Sequence, residues 1–156
     1  MRRAVEARTR GQWPREEEQG AITLRFDQRH RRRIRLQCDD GNSLLLDLPE
    51  AQALCEGDGL RCEDGSWVTV HAAPEEVMDV LCDSPRGLLR VAWHLGNRHL
   101  PVEVLGETGL RVRVDHVIES MVEGLGARCE RRLAPFSPEA GAYAKAGHAH
   151  ADPAGA

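Results

Sequence analysis

The sequence predicts an α+β protein in three parts: a small all-β domain over residues 1–73, a mixed domain over 74–137 and a disordered tail over 138–156. Three observations lead to this division. Up to about residue 70, apolar and polar residues alternate as they do in half-buried strands. Apolar residues at helical spacing appear only after Pro74. From Pro138 the chain is rich in alanine and glycine and poor in large apolar residues, which is typical of disorder.

The first part is expected to form short strands joined by turns. Alternating patterns predict strands over 22–26, 34–38, 43–48 and 67–71. Clusters of aspartate, glycine, asparagine and serine at 39–42, 57–59 and 64–66 are typical of turns. Strands this short, joined in this way, indicate a small sandwich or barrel-like module.

The second part combines strands with two helices. Ser84 followed by Pro85 predicts the start of the first helix, and Gly96 is its predicted C-terminal stop. Asp115 predicts the start of the second helix and Gly126 its end. Strands are predicted over 76–82, 101–105, 110–114 and 128–133. The order of strand, helix, strand, strand, helix and strand is that of a ferredoxin-like fold.

Charge and composition exclude several classes of protein. The chain has 156 residues with 21 Lys or Arg against 25 Asp or Glu, and this net charge of −4 argues against a general polyanion binder. Its apolar runs are far shorter than the roughly 20 residues of a membrane-spanning helix, and the start lacks the apolar segment of a secretory signal. The five cysteines include no C-x-x-C pair, which favours reduced thiols. We therefore expect a cytoplasmic protein without a membrane partner.

The strongest charge feature is the arginine-rich segment over residues 25–35, with its densest part from Arg29 to Arg35. Three interpretations are open: a nucleic-acid patch, a solvated hairpin tip, or a docking patch for an acidic protein. The densest part of the segment lacks the Phe, Tyr and Trp side chains that stack on bases, so we expect no nucleic-acid partner and favour the solvated tip. No motif for a catalytic nucleophile, a metalloprotease or a nucleotide-binding loop occurs, and we expect a protein that is not an enzyme.

Histidines are the residues best placed to carry chemistry. His99 follows the predicted helix end, where a side chain can point away from a rigid element. His116 ends a strand run whose face it shares with Val112 and Val114. His148 and His150 lie two apart in the tail. Neutral imidazole binds nickel, copper and zinc well, whereas the nearest cysteine pair is spaced too widely for a structural zinc site.

Two motifs carry a family resemblance. The segment AWHLGNRHLPV over residues 92–102 is similar to a signature of the UreE family, the urease accessory nickel metallochaperones. LRVRVDHVI over residues 110–118 resembles the second signature of that family, a strand leading into an Asp-His-Val helix start. The motifs come in the expected order, and a histidine-bearing C-terminal tail follows them.

The resemblance implies a fold, a cargo and partners. It implies an N-terminal β domain like a peptide-binding module, then a ferredoxin-like metal-binding domain. The expected protein is a homodimer that carries Ni²⁺ to apo-urease, working with the urease accessory complex and its GTPase accessory protein. Zn²⁺ and Cu²⁺ are further metals that the same ligands are expected to bind in vitro.

The resemblance also implies residue roles. His99 is the principal metal ligand and meets its twin across the dimer axis, with Asn97 and Arg98 beside it in the motif. His148 and His150 complete the coordination or hold metal loosely, and two tail histidines are too few for bulk storage. Asp115 and His116 belong to the second motif. Some members carry another histidine two residues before the His116 position, where this chain has Val114, so His116 has no partner on its own strand.

Two other functions compete with nickel delivery. The β domain could act as a metal-independent interaction module that binds a client peptide, in which case the histidines are incidental. The ferredoxin-like domain could bind RNA through the basic segment, although it lacks stacking aromatics on its strands. Replacing His99 by alanine separates the first two interpretations, because only a nickel carrier loses urease activation at limiting nickel.

Overall fold

A computed structural model describes residues 1–139 and 141 of the chain. The described residues form two compact units, Met1–Ala73 and Pro74–Glu139. Two helices and two β-sheets make up the regular structure, so the predicted α+β class is confirmed. The predicted disorder of the tail concerns residues that lie almost entirely outside this description. In the described part, no helix has both the length and the apolar character needed to cross a membrane.

The first unit is a mixed six-stranded sheet in the order β2-β6-β5-β1-β4-β3. Its strands β1 and β4 run parallel, as do β2 and β6, while the other neighbours are antiparallel. Two short 3-10 turns, at Arg15–Glu17 and Phe26–Gln28, precede β2 and β3. The strands are β1 (Arg2–Arg8), β2 (Glu18–Leu24), β3 (His30–Gln37), β4 (Ser43–Ala53), β5 (Gly59–Cys62) and β6 (Trp67–Ala72).

The core of the first unit follows from the alternation of its strands. On β4, Leu44, Leu46 and Leu48 are buried, because successive side chains point to opposite faces of a sheet. They join buried residues from every other strand of the sheet. Each fully buried leucine contributes roughly 1.5–3 kcal/mol relative to exposure, so this one strand anchors much of the unit. Of the predicted strands, 43–48 and 67–71 are confirmed most closely.

Strand β1 was not predicted, although it lies in the interior of the sheet between β5 and β4. It carries four charged residues and only Ala4 is fully buried, so its hydrophobic signal is weak. The segment after β1 brings Trp13 against Trp67, with ring centroids 5.4 Å apart. Gly59 permits this contact, because a Cβ there would lie 2.4 Å from the Trp13 ring. The turn-like composition around Gly59 also explains why β5 was not predicted.

The second unit follows the predicted element order closely. Its elements are β7 (Pro74–Leu81), α1 (Pro85–Asn97), β8 (Glu103–Leu105), β9 (Gly109–Arg113), α2 (His116–Gly124) and β10 (Arg128–Pro135). The four strands form an antiparallel sheet in the order β10-β7-β9-β8. Both helices contribute to one core with that sheet, in which Val91 and Leu95 of α1 and Ile118 and Val122 of α2 are buried.

The helix starts are confirmed, but one helix end was predicted wrongly. The Ser84 hydroxyl accepts a hydrogen bond from Gly87 N at 3.0 Å, as an N-cap does. Asp115 caps α2 in the same way. Gly126 ends α2 in the left-handed region, with φ +97°. The helix α1 does not stop at Gly96 but continues to Asn97, since the position that needs a left-handed residue comes three residues later.

Candidate metal centre

His99 occupies the left-handed position that ends helix α1. Its φ is +58°, and among the described residues no other non-glycine residue has a positive φ. His99 N donates to Gly96 O at 3.0 Å and Leu100 N donates to Leu95 O at 3.4 Å. These two bonds form a Schellman motif, the helix ending that usually places glycine at the left-handed position. A side chain there costs roughly 1–2 kcal/mol of conformational free energy.

Helix α2 ends in the same motif with glycine in the same place. Gly126 N donates to Glu123 O at 2.9 Å, and Ala127 N donates to Val122 O at 3.0 Å. The same unit therefore contains both the usual residue and its histidine counterpart. Since the His99 side chain is exposed, packing does not require an imidazole at this position. A side chain in a costly conformation without a packing reason is the basis for the hypothesis that His99 has a function.

The second motif places His116 at the start of α2. Its neighbour Asp115 accepts hydrogen bonds through Oδ1 from Val117 N at 2.8 Å and from Ile118 N at 3.2 Å. Those two N–H groups, Ile118 first, lower the pKa of the Asp115 carboxyl below its ordinary range, with smaller contributions from His116 and Arg98. Asp115 is therefore a helix cap held as a carboxylate, and His116 is an exposed residue beside it.

A cleft of about 320 Å³ brings the two motifs together. One wall is Leu100 and Pro101, which directly follow His99. The other includes Val114 and Asp115, which directly precede His116, and the complete lining is Leu100, Pro101, Val112, Arg113, Val114, Asp115 and Ile118. Arg98 Nε also donates to Met121 Sδ at 3.1 Å, which ties the end of α1 to α2. The exposed Asn97 is the last residue of α1.

The chain after β10 leads back to this cleft. Phe136 is fully buried, and Ser137 N donates to Glu103 Oε1 at 2.9 Å. Glu139 N then donates to Val102 O at 2.8 Å, three residues beyond His99 in sequence. His148 and His150 follow Glu139 by nine and eleven residues and lie outside the described part of the chain. Nine residues span at most about 30 Å, so the tail starts within reach of His99.

One cluster with metal-ligand chemistry was not singled out from the sequence. Ligand atoms of Glu119, Glu123 and Cys129 lie within 4.8 Å of one another. Arg131 Nη2 already donates to Glu119 Oε1 at 2.7 Å. Burial, then the charges of Glu123 and Glu119, raise the pKa of the Cys129 thiol to about 11, so without a metal ion it is protonated near neutral pH. The i, i+4 spacing of the two glutamates is the signal that sequence offered.

All five cysteines are free thiols. Cys38, Cys62 and Cys82 are buried and belong to the two hydrophobic cores. Cys55 is exposed instead. In residues 1–139 and 141, none of the predicted histidines belongs to a group of three ligand side chains as tight as the glutamate–cysteine cluster.

Comparison with known families decides the relationship. The N-terminal domain of the UreE urease accessory protein matches residues 2–73, and the C-terminal domain of the same family matches residues 75–155. The chain belongs to the UreE family. The family resemblance of the two sequence motifs is therefore confirmed.

Relatives named urease accessory protein UreE support this membership. One from Bradyrhizobium sp. (strain ORS 278) is 51% identical over 130 residues, which cover 83% of this chain and 61% of the relative. Another from Beijerinckia indica is 45% identical over 152 residues, covering 97% of this chain and 87% of the relative. The UreE of Chelativorans sp. (strain BNC1) is 50% identical over 132 residues, or 83% of each chain. The chain spans about three fifths of the length of the Bradyrhizobium relatives.

Proposed function

We propose that this UreE-family chain is a nickel carrier that binds Ni²⁺ through His99 and delivers it to apo-urease. The observation that carries the proposal is the left-handed conformation of His99. Glycine would satisfy the same two hydrogen bonds at lower conformational cost, as Gly126 does in α2. An exposed imidazole kept at the end of a rigid helix is suited to bind a metal ion. Imidazole is a good ligand for nickel.

The metal site requires a second copy of the chain. A single imidazole cannot hold a metal ion firmly, and a two-fold axis supplies ligands in pairs. Leu89 and Trp93 lie one turn apart on α1 and are 70% and 64% exposed. Large apolar side chains exposed together on one helix face are typical of an interface. A homodimer formed on this face would cover them and bring the two copies of His99 together.

Further ligands come from the tail and from the second motif. His148 and His150 follow Glu139 in the sequence, and Glu139 N donates to Val102 O beside the cleft. His116 directly follows Asp115, which lines the same cleft. A site with few protein ligands leaves positions that an acceptor protein can attack. This is the chemistry that delivery requires, because the carrier must release its cargo.

Several properties follow from this role. The chain is a carrier and not an enzyme, and its partners are apo-urease and the accessory complex with its GTPase accessory protein. Ni²⁺ is the cargo. The same imidazoles would bind Zn²⁺ or Cu²⁺ in vitro, because imidazole is a good ligand for all three metals and affinity alone favours copper over nickel. The site of action is the cytoplasm. Neither nucleic acid nor membrane is a partner in this scheme.

The two units have distinct parts in the proposal. Residues 74–137 form a ferredoxin-like metal-binding domain, which the sheet order β10-β7-β9-β8 and the connection of its strands through α1 and α2 support. Residues 1–73 form a domain like a peptide-binding module, and residues 138–156 are the C-terminal tail that carries His148 and His150.

Activation of apo-urease at limiting nickel tests the proposal. The variant His99→Asn keeps a side chain that tolerates the left-handed region but removes the imidazole. We expect it to lose most of the activation that the parent protein gives. His94→Gln on the same helix is the matched control and should activate normally. If His99→Asn activates as well as the parent, the metal-independent interaction module becomes the better explanation.

A further inference from the structure

Strand β3 is an open edge of the six-stranded sheet. It pairs with β4 along one side, and within the described residues no strand pairs with its other side. β3 is eight residues long, so it offers a substantial row of backbone N–H and C=O groups. Such an edge is a template on which an extended chain can add as a further strand.

The edge carries positive charge that the chain does not neutralise. Arg31 Nε and Arg32 Nη1 donate to main-chain carbonyl oxygens, each at 3.4 Å. The hydrogen bond from Arg3 lowers the pKa of the Asp47 carboxyl, and the charge of Arg32 adds to this effect. Arg31 forms no ion pair within the described residues. Arg35 is exposed and forms no ion pair in the part of the chain that is described. Two exposed guanidinium groups on this strand, Arg31 and Arg35, therefore have no carboxylate partner within the described residues, on a protein whose net charge is −4.

Arg33 is the exception on this strand. Its Nη1 contacts Asp47 Oδ2 at 3.1 Å. Asp47 also contacts Arg3 at 2.6 Å, and Arg3 is in turn held by Glu63 at 2.8 Å. The two arginines and two carboxylates of this group neutralise one another. Arg31 and Arg35 of the same strand do not belong to it.

Arg31, Arg33 and Arg35 recur at every second residue of β3, which is the spacing of side chains on one face of an extended strand. Ile34 and Leu36 face the core, so Arg33 and Arg35 lie on the opposite, solvent face of β3. Arg31 is exposed two residues earlier, where the register with β4 shifts. An added strand with carboxylates at every second residue would place them beside these arginines. Opposite charges on neighbouring strands stabilise strand pairing.

We propose that the β3 edge is a docking surface for an extended acidic protein segment, which adds to the sheet as a seventh strand with carboxylates at alternate positions. This surface belongs to the other unit and uses none of the proposed metal ligands His99, His116, His148 and His150. It gives the arginine-rich segment a role other than a solvated tip. An RNA strand fits less well, since β3 carries no Phe, Tyr or Trp for bases to stack on, and its one ring, His30, is half-buried with Nε2 inside.

Fluorescence anisotropy of a short labelled peptide of alternating glutamate and threonine tests the proposal with the full-length protein. The variant Arg31→Gln with Arg35→Gln is expected to bind the peptide about fivefold more weakly. The matched control, Arg86→Gln with Arg90→Gln, removes two exposed arginines from α1 and should bind as the parent does. A labelled oligouridylate of similar length serves as the nucleic-acid probe.

Two backbone-methylated peptides separate strand addition from simple charge attraction. One has N-methyl groups on its glutamates and the other on its threonines, so both keep all their charges. Alternate N–H groups of a strand point to opposite edges, and only one of these peptides should lose binding. If both bind equally, the edge does not accept a strand. Equal peptide binding by the Arg31, Arg35 variant, or tighter binding of oligouridylate through those arginines, would also overturn the proposal.

Discussion

His99 and Gly126 occupy the same position in two identical helix endings. Each donates its N–H to the carbonyl three residues earlier, at 3.0 Å and 2.9 Å, and each has a positive φ. Helix endings of this kind favour glycine because a Cβ is strained in the left-handed region. His99 therefore makes the fold less stable than glycine would at this position, and its imidazole is exposed.

Replacing this histidine by glycine should stabilise the protein. His99→Gly removes roughly 1–2 kcal/mol of strain, partly offset by the greater freedom of glycine in the unfolded chain. We expect the free energy of unfolding to rise by about 0.5–1 kcal/mol, measured by urea denaturation without metal. His94→Gly is the control, because the same change inside α1 should lower it by about 1 kcal/mol. A loss of stability in His99→Gly would contradict the assigned strain.

Because α1 ends at Asn97, replacing Gly96 by a better helix former should stabilise the protein. This glycine lies inside the helix, and a Cβ added there meets no atom within 4 Å. Gly96→Ala should therefore raise the free energy of unfolding by about 0.5–1 kcal/mol. Gly126→Ala should lower it by about 1 kcal/mol, because φ is +97° there. Thermal unfolding of both variants shows whether each substitution raises or lowers the stability. A lower stability of Gly96→Ala would contradict the placement of Gly96 inside the helix.

Acidification should uncap helix α2. The N–H groups of Ile118 and Val117 lower the pKa of Asp115, so its carboxylate stabilises the fold above the ordinary aspartate pKa of about 3.9. This contribution is lost as the pH falls below that value and through the lowered pKa of the folded state. The variant Asp115→Asn keeps a capping oxygen without the charge.

The difference in unfolding free energy between the parent and Asp115→Asn, measured at pH 7 and near pH 3, reports this effect. We expect the parent to lose more stability than the variant over that interval. Identical losses in the two proteins would show that Asp115 contributes nothing to the pH dependence.

Cys129 should react slowly with iodoacetamide near neutral pH. Burial first, then Glu123 and Glu119, raise its pKa to about 11, and only the thiolate attacks. Glu123→Gln removes one of the nearby negative charges and should speed alkylation of Cys129 a few fold, as followed by peptide mass spectrometry. The exposed Cys55 in the same sample is the internal control and should react at an unchanged rate. An unchanged Cys129 rate would contradict the electrostatic coupling to Glu123.

The sequence predicted the second unit better than the first for physical reasons. Ser84, Asp115 and Gly126 act locally, so their effects on helix ends can be identified without knowing the fold. Strand β1 depends instead on neighbours distant in sequence, β5 and β4, and its own residues are mostly charged. Gly96 had the right residue type for a helix stop, but the conformation falls on His99, which residue preferences do not favour.

The candidate site could be predicted in part. The histidines were found from residue chemistry and motif resemblance, because imidazole ligands are identifiable in a sequence. The cleft between Leu100 and Asp115 could not, since it depends on how the segment after α1 lies against the end of β9 and the start of α2. The hydrogen bond from Glu139 N to Val102 O, which starts the tail beside His99, is likewise a tertiary contact without a local signal.

Calorimetric titration of the full-length protein with Ni²⁺, beside His99→Gly and His94→Gly, tests the nickel proposal most directly. Because glycine suits the helix ending, a folded His99→Gly protein that fails to bind has lost only the imidazole. We expect the parent and His94→Gly to bind one tight nickel per two chains, and His99→Gly to lose that tight site. Equal tight binding by His99→Gly would place the ligands elsewhere and contradict a metal site shared between two copies of His99.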